Sequence, residues 1–206
     1  GTALGTVTAG TTLPAANGVQ AESDLTVTTA MGGTTAAISW SAGADAKDIA
    51  AAINSKANDF GVTATASNSA TISGISEDGN ITFALNGSSI SASGVTTSDY
   101  SSLVTAINSA SGSTGVVASF TTPGLTNSIT LTAADGRDIE IDTYANNGAN
   151  TASTVSFSGT TLTEGADNSA IKTGTVELSS SKGAISTAAA GADVFASAGV
   201  NTSTLS

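Results

Sequence analysis

Apolar and polar positions alternate with a period of two in short runs along most of the chain. Leu25 and Val27 alternate with Thr26 and Thr28, and Val62, Ala64 and Ala66 with Thr63 and Thr65. Ile81, Phe83 and Leu85 are interleaved with Thr82 and Ala84, and Ile129 and Leu131 with Thr130 and Thr132. Ile139 and Ile141 sit between Asp138, Glu140 and Asp142. Val155 with Phe157, then Val176 with Leu178, continue the pattern. Each run has one apolar face and one hydroxyl or acidic face, which predicts antiparallel sheet with one wet side. Thr is branched at Cβ and suits the pleated surface. Two stretches follow a helical period instead. In 45–57 the stripe is Ala46, Ile49, Ile53 and Ala57, with Asp45 placed as N-cap and Asp48 in the first turn. In 99–110 it is Tyr100, Leu103, Val104 and Ile107, with Asp99 or Ser98 as cap and Gly112 as terminator. Helices of about three turns are not stable alone, so both are expected to lie on sheets.

The two helical stretches belong to an internal repeat with an offset of 54 positions. Asp45 meets Asp99, Ile49 meets Leu103, and Ala52-Ile53-Asn54-Ser55 meets Ala106-Ile107-Asn108-Ser109. Gly61-Val62 meets Gly115-Val116, and Ala64 meets Ala118. Both copies run on to an Asp-Gly pair, Asp78-Gly79 and Asp135-Gly136, which reads as a hairpin turn. The unit is strand, strand, helix, strand, strand, with Ile81–Leu85 closing the first copy and opening the second. Ile53 and Ile107 are expected to pin each helix to its sheet. Asn54 and Asn108 are expected to serve backbone groups near the helix end, where carbonyls lack partners. Gly61 and Gly115 are expected to permit the return, and Val62 and Val116 to start the next strand. A unit this small buries little by itself, which is why it is duplicated.

Composition narrows the chemistry. The 206 residues carry five Lys/Arg against 16 Asp/Glu, a net charge of −11, with no His and no Cys. Such a surface repels nucleic acid. Without His or Cys there is no thiolate metal site, no Ser-His-Asp arrangement and no ordinary zinc site. No run reaches the roughly 20 apolar residues of a membrane span. The expectation is a chain that is not an enzyme, binds no cofactor or metal, and engages neither nucleic acid nor membrane. The acidic turns at 77–80 and 135–138 are weighed as calcium ligands and read as turns. Asp138, Glu140 and Asp142 are read as a wet sheet face beside Arg137, and Trp40 and Tyr144 are the candidate contacts for a sugar ring. The opening residues Gly1-Thr2-Ala3-Leu4 have no signal-peptide features, as expected for a segment of a longer protein.

Two copies of a helix ending in Ala-Ile-Asn-Ser, each followed by a Gly-Val-x-Ala strand, resemble the IN motif of bacterial flagellins. Hook-associated and filament-cap proteins carry similar motifs. The matching segments are Leu25–Leu85 and Asn80–Ile141, and the stretch Lys172–Gly183 resembles return strands. The resemblance implies the central, variable outer-domain region of a flagellin, often called D2 and D3. It implies an extracellular, structural role on the flagellum that contributes to motility and antigenicity. Alternatives are a hook-associated or filament-cap domain and an adhesin-like module that takes host or surface glycans. Partners would be other flagellin subunits, joined through conserved helices missing from this segment. The expected fold is β-rich α+β with two stacked lobes of repeated units. The base lobe would comprise 1–78 plus 163–206 and the distal lobe 79–162.

Overall fold

The structure is a computed structural model that describes residues 4–13, 17–190 and 203–204. The chain opens with β1 (Val7–Gly10), β2 (Glu22–Thr29), β3 (Gly33–Thr34) and β4 (Ile38–Trp40). Helix α1 (Ala46–Ala57) passes through a 3-10 turn (Asn58–Phe60) into the long strand β5 (Val62–Ser73). Then come β6 (Gly79–Leu85), β7 (Ser88–Val95), α2 (Ser101–Ser109), the single turn α3 (Ser111–Thr114), β8 (Val117–Phe120) and β9 (Ser128–Ala133). The remainder is β10 (Ile139–Asn146), β11 (Thr154–Phe157), β12 (Thr160–Thr163), β13 (Ser169–Lys172), β14 (Thr175–Ser180), β15 (Ile185–Ala188) and β16 (Ser203–Thr204). The fold is α+β and β-rich. Strand pairs among the described residues are antiparallel apart from a two-residue contact of β14 with β16.

Both helical stripes point inward as their spacing requires. Ala46, Ile49, Ile53 and Ala57 of α1 are buried, and Asp45 accepts a bond from the Asp48 N–H at 2.8 Å. In α2, Leu103 and Ile107 are buried, while Tyr100 is buried just ahead of the helix. Asp99 accepts from the N–H and hydroxyl of Ser101. The helical run does not stop at Gly112; it continues through α3 to Gly115.

Two apolar clusters form. One gathers Leu25, Val27, Ile38, Trp40, Ile49, Ile53, Val62 and Leu178. The other gathers Ile72, Ile81, Phe83, Leu85, Leu103, Ile107, Ile129, Leu131, Ile139, Tyr144 and Phe157. β5 belongs to both. Its residues 62–67 pair with β14, and its residues 68–73 pair with β9. The sequence expectation that Ile81–Leu85 closes the first copy does not hold. That segment is β6, bonded to β7 and β10 in a different sheet. The physical reason is the length of β5, which carries the chain onto the second cluster before β6 begins. The first copy is closed instead by β14, which arrives about a hundred residues later.

The Asp-Gly pairs are not hairpins either. β5 and β6, and likewise β9 and β10, lie in different sheets, so both pairs sit where the chain changes sheet. The two-residue turns are Asn86-Gly87, joining β6 to β7, and Ser158-Gly159, joining β11 to β12.

Candidate functional site

The repeated residues converge on one construction, built twice. Ile53 and Ile107 are fully buried against the sheets, which turns the next residue toward the flank of the neighbouring strand. There the Asn54 Nδ2 donates to the Ala64 carbonyl at 2.8 Å, and its Oδ1 accepts from the Ala64 N–H at 2.7 Å. Asn108 repeats this on Ala118, at 2.9 and 2.7 Å. A primary amide matches a peptide group in having one acceptor and donors side by side, so it closes both bonds at once. These asparagines therefore serve the strand that follows the helix, not the helix-end carbonyls.

The carbonyls at the helix ends are met by basic side chains that the repeat did not reveal. Lys182, just past β14, donates to the Asp59 carbonyl at 3.3 Å. Arg137, past β9, donates through Nη1 to the Thr114 carbonyl, also at 3.3 Å. Both lie across the repeat glycine. Gly61 and Gly115 have φ of 78° and 70°, and a Cβ there would overlap the Lys182 stem or the Arg137 guanidinium. Val62 and Val116, which follow, are fully buried. Lys182 and Arg137 correspond only because β14 stands to the first copy as β9 stands to the second. No offset in the sequence aligns them.

A polar groove of about 400 Å³ lies where the start of α1 faces β10 and the β6–β7 turn. Gly43, Asp45, Lys47 and Asp48 line one side, and Asn86, Arg137, Asp138 and Glu140 the other. Asn17 donates to Asp138 Oδ2 at 2.6 Å, while Asp138 Oδ1 is buried without a hydrogen-bond partner. Burial, with Asp45 and Glu140 nearby, pushes the Asp138 carboxyl up to about 6. Burial also raises Asp45 and Glu140. Asp135 goes the other way: its bonds with Arg137, then Lys47, hold it well below the usual carboxylate range. Asn86 ties the turn down by donating to the carbonyls of Thr114 and Asp138 and accepting from the Glu140 N–H. Sequence reading missed Asn86, although Asn-Gly between two alternating runs is a strong hairpin signal.

The two aromatic candidates are internal. Trp40 is 9% exposed and donates its Nε1–H to the Gln20 carbonyl, and Tyr144 is 2% exposed. Neither ring presents a face on which a sugar could stack. Glu77 accepts from the Ser153 hydroxyl, and also from the Asn150 N–H and amide, which lowers its pKa. Among the described residues no group of three or more His, Cys, Asp or Glu is placed to hold a metal. Nor is any helix there long and apolar enough to cross a membrane. The chemistry on view among the described residues is mutual satisfaction of backbone and side-chain polar groups, with serine hydroxyls donating to the Glu77, Asp99 and Asp142 carboxylates.

Comparison with curated proteins returned no match. The profile of the flagellin hook IN motif matches twice, at residues 24–78 and 80–135, together more than half of the chain. Each match holds one helix, its asparagine, its glycine and the strand that follows. The chain belongs to the flagellin hook IN motif family, a structural family of flagellin-type filament or hook components of the extracellular bacterial flagellum.

Proposed function

We propose that this chain is the surface-exposed outer region of a flagellin, displayed on the filament, where it contributes to motility and antigenicity. The observation that carries this reading is the outward face of the large sheet. On β5 it presents Thr63, Thr65, Ser67, Ser69, Thr71 and Ser73 in unbroken alternation. β9 adds Ser128, Thr130 and Thr132 in register. A broad hydroxyl face solvates well and offers neither a reactive centre nor an apolar patch. The longest described helix has 12 residues, so subunit-to-subunit assembly is assigned to the family's long helices and not to this module.

The two apolar clusters support a base and a distal lobe. We place the crossings at Ser67–Asn68 and Thr173–Gly174, where Asn68 donates to the carbonyls of Arg137 and Lys172. β1 and β13, both expected in the base lobe, pair with each other and, through β13, with β10 of the five-stranded sheet.

Immunogold labelling of intact flagella with antibody raised against this chain tests the display. Labelling along the whole filament is the expected result. Gold confined to the hook or the tip would favour a hook-associated or cap protein. Reactivity with dissociated subunits alone would defeat the outer-surface reading.

A further inference from the structure

Three Asn-Gly pairs occur in the chain: Asn17-Gly18, Asn86-Gly87 and Asn147-Gly148. Asparagine before glycine can cyclise, because glycine has no side chain to keep its backbone nitrogen from the neighbouring amide carbon. The Gly nitrogen attacks the Asn Cγ and a C–N bond forms. The Cγ–Nδ2 bond breaks, and ammonia leaves with the proton that the Gly nitrogen gives up. Solvent water then opens the five-membered imide at either carbonyl, which yields aspartate or isoaspartate. By sequence the three pairs are equivalent, and the fold makes them different.

Asn17 is 2% exposed and uses both ends of its amide, donating to the Ala44 carbonyl and Asp138 and accepting from the Val19 N–H. Asn86 is pinned in the β6–β7 turn by three side-chain bonds. Turning either amide onto the next N–H breaks every bond it makes. Asn147 is exposed, in the stretch between β10 and β11. Its Oδ1 accepts from the Asn80 N–H at 2.7 Å, so a donor already sits on the oxygen where negative charge develops during attack. Its Nδ2, the leaving group, bonds to none of the described residues. One restraint remains. The Gly148 N–H donates to Asn146 Oδ1 at 3.1 Å, and Asn146 is itself 2% exposed and fixed by donating to the Glu77 carbonyl.

We propose that Asn147-Gly148 is a self-modification site of the folded chain, converted to aspartate and isoaspartate, and that Asn146 sets its pace by holding the N–H that must attack. The product adds a negative charge to a surface loop that Glu77 already braces. This chemistry is independent of where the chain is displayed.

Folded chain and chain in urea, both held at mildly alkaline pH, test the site. Peptide mass spectrometry follows the one-unit mass gain at each pair, and isoaspartyl methyltransferase labelling identifies the isomer. In urea all three pairs should react at comparable rates; in the folded chain only Asn147 should. No gain at Asn147, or a gain at Asn17 or Asn86 that keeps up with it in the folded chain, overturns the site. Asn146→Ala, checked for folding by circular dichroism, should speed the reaction several-fold. Asn146→Asp keeps an acceptor for the Gly148 N–H and should not. Equal rates in wild type and folded Asn146→Ala overturn the role of Asn146. If Asn146→Ala does not fold, amide hydrogen exchange of the wild-type chain decides that role: Gly148 should be protected, and exchange at the rate of a free peptide overturns it.

Discussion

Three residue types carry the repeat: an asparagine that bonds a strand, a glycine in the left-handed region and a basic side chain across it. Removing the asparagine leaves a buried N–H and a buried C=O without partners, since Ala64 and Ala118 are 5% and 6% exposed. Asn54→Ala and Asn108→Ala should each cost about 2 kcal/mol, read from the urea midpoint at unchanged slope. Gly115→Ala should cost more than Gly61→Ala. Both strain the backbone by about 1 kcal/mol or more, but Arg137 is held by Asp135 whereas the Lys182 stem can move aside. Matched thermal melts decide this, and equal losses would show that Arg137 yields as freely as Lys182. The groove carboxyls set the pH dependence. The folded pKa of Asp138 is above its unfolded value, so its favourable contribution is complete at low pH and lost as pH climbs toward about 6. Asp135 has a lowered pKa, so its contribution is present near neutrality and lost in acid. Stability should therefore rise from pH 7 to about 5 and fall below about 4. Asp138→Asn should raise the neutral-pH urea midpoint and remove most of that rise; an unchanged profile would reject this assignment.

At the scale of elements, the alternation of Thr with Ile, Leu and Val tells which face of a strand is wet, and that much was readable. The stripes Ala46–Ile49–Ile53–Ala57 and Leu103–Ile107 likewise fixed the helices and their buried sides. Partners were not readable, because alternation carries no record of which strand lies alongside. β14 pairs with β5 across more than a hundred residues, and nothing in Val176 or Leu178 points to Ala66 or Ala64. Asp-Gly carries a hairpin signal twice and marks a change of sheet both times, whereas Asn86-Gly87 makes the tight turn between β6 and β7. Asn86 makes three side-chain bonds and holds φ at 45°. Asn86→Ala should cost about 3 kcal/mol, more than the same change at either helix asparagine, as equilibrium unfolding would show. A loss below 1 kcal/mol would mean water replaces those bonds.

Across the whole molecule, one unit is interrupted by the other. The second copy runs continuously from β6 to Arg137. The first leaves along β5 and is completed on return by β14 and Lys182. Excising the distal segment tests this nesting most directly. Residues 68–174, expressed alone, keep β6 to β13, α2 and nearly all of the second apolar cluster. Its urea unfolding should be a single cooperative transition with native-like circular dichroism, because that cluster is built without residues from the first. A segment that shows no cooperative transition would contradict the account, since the two clusters would then be one core that merely looks divided.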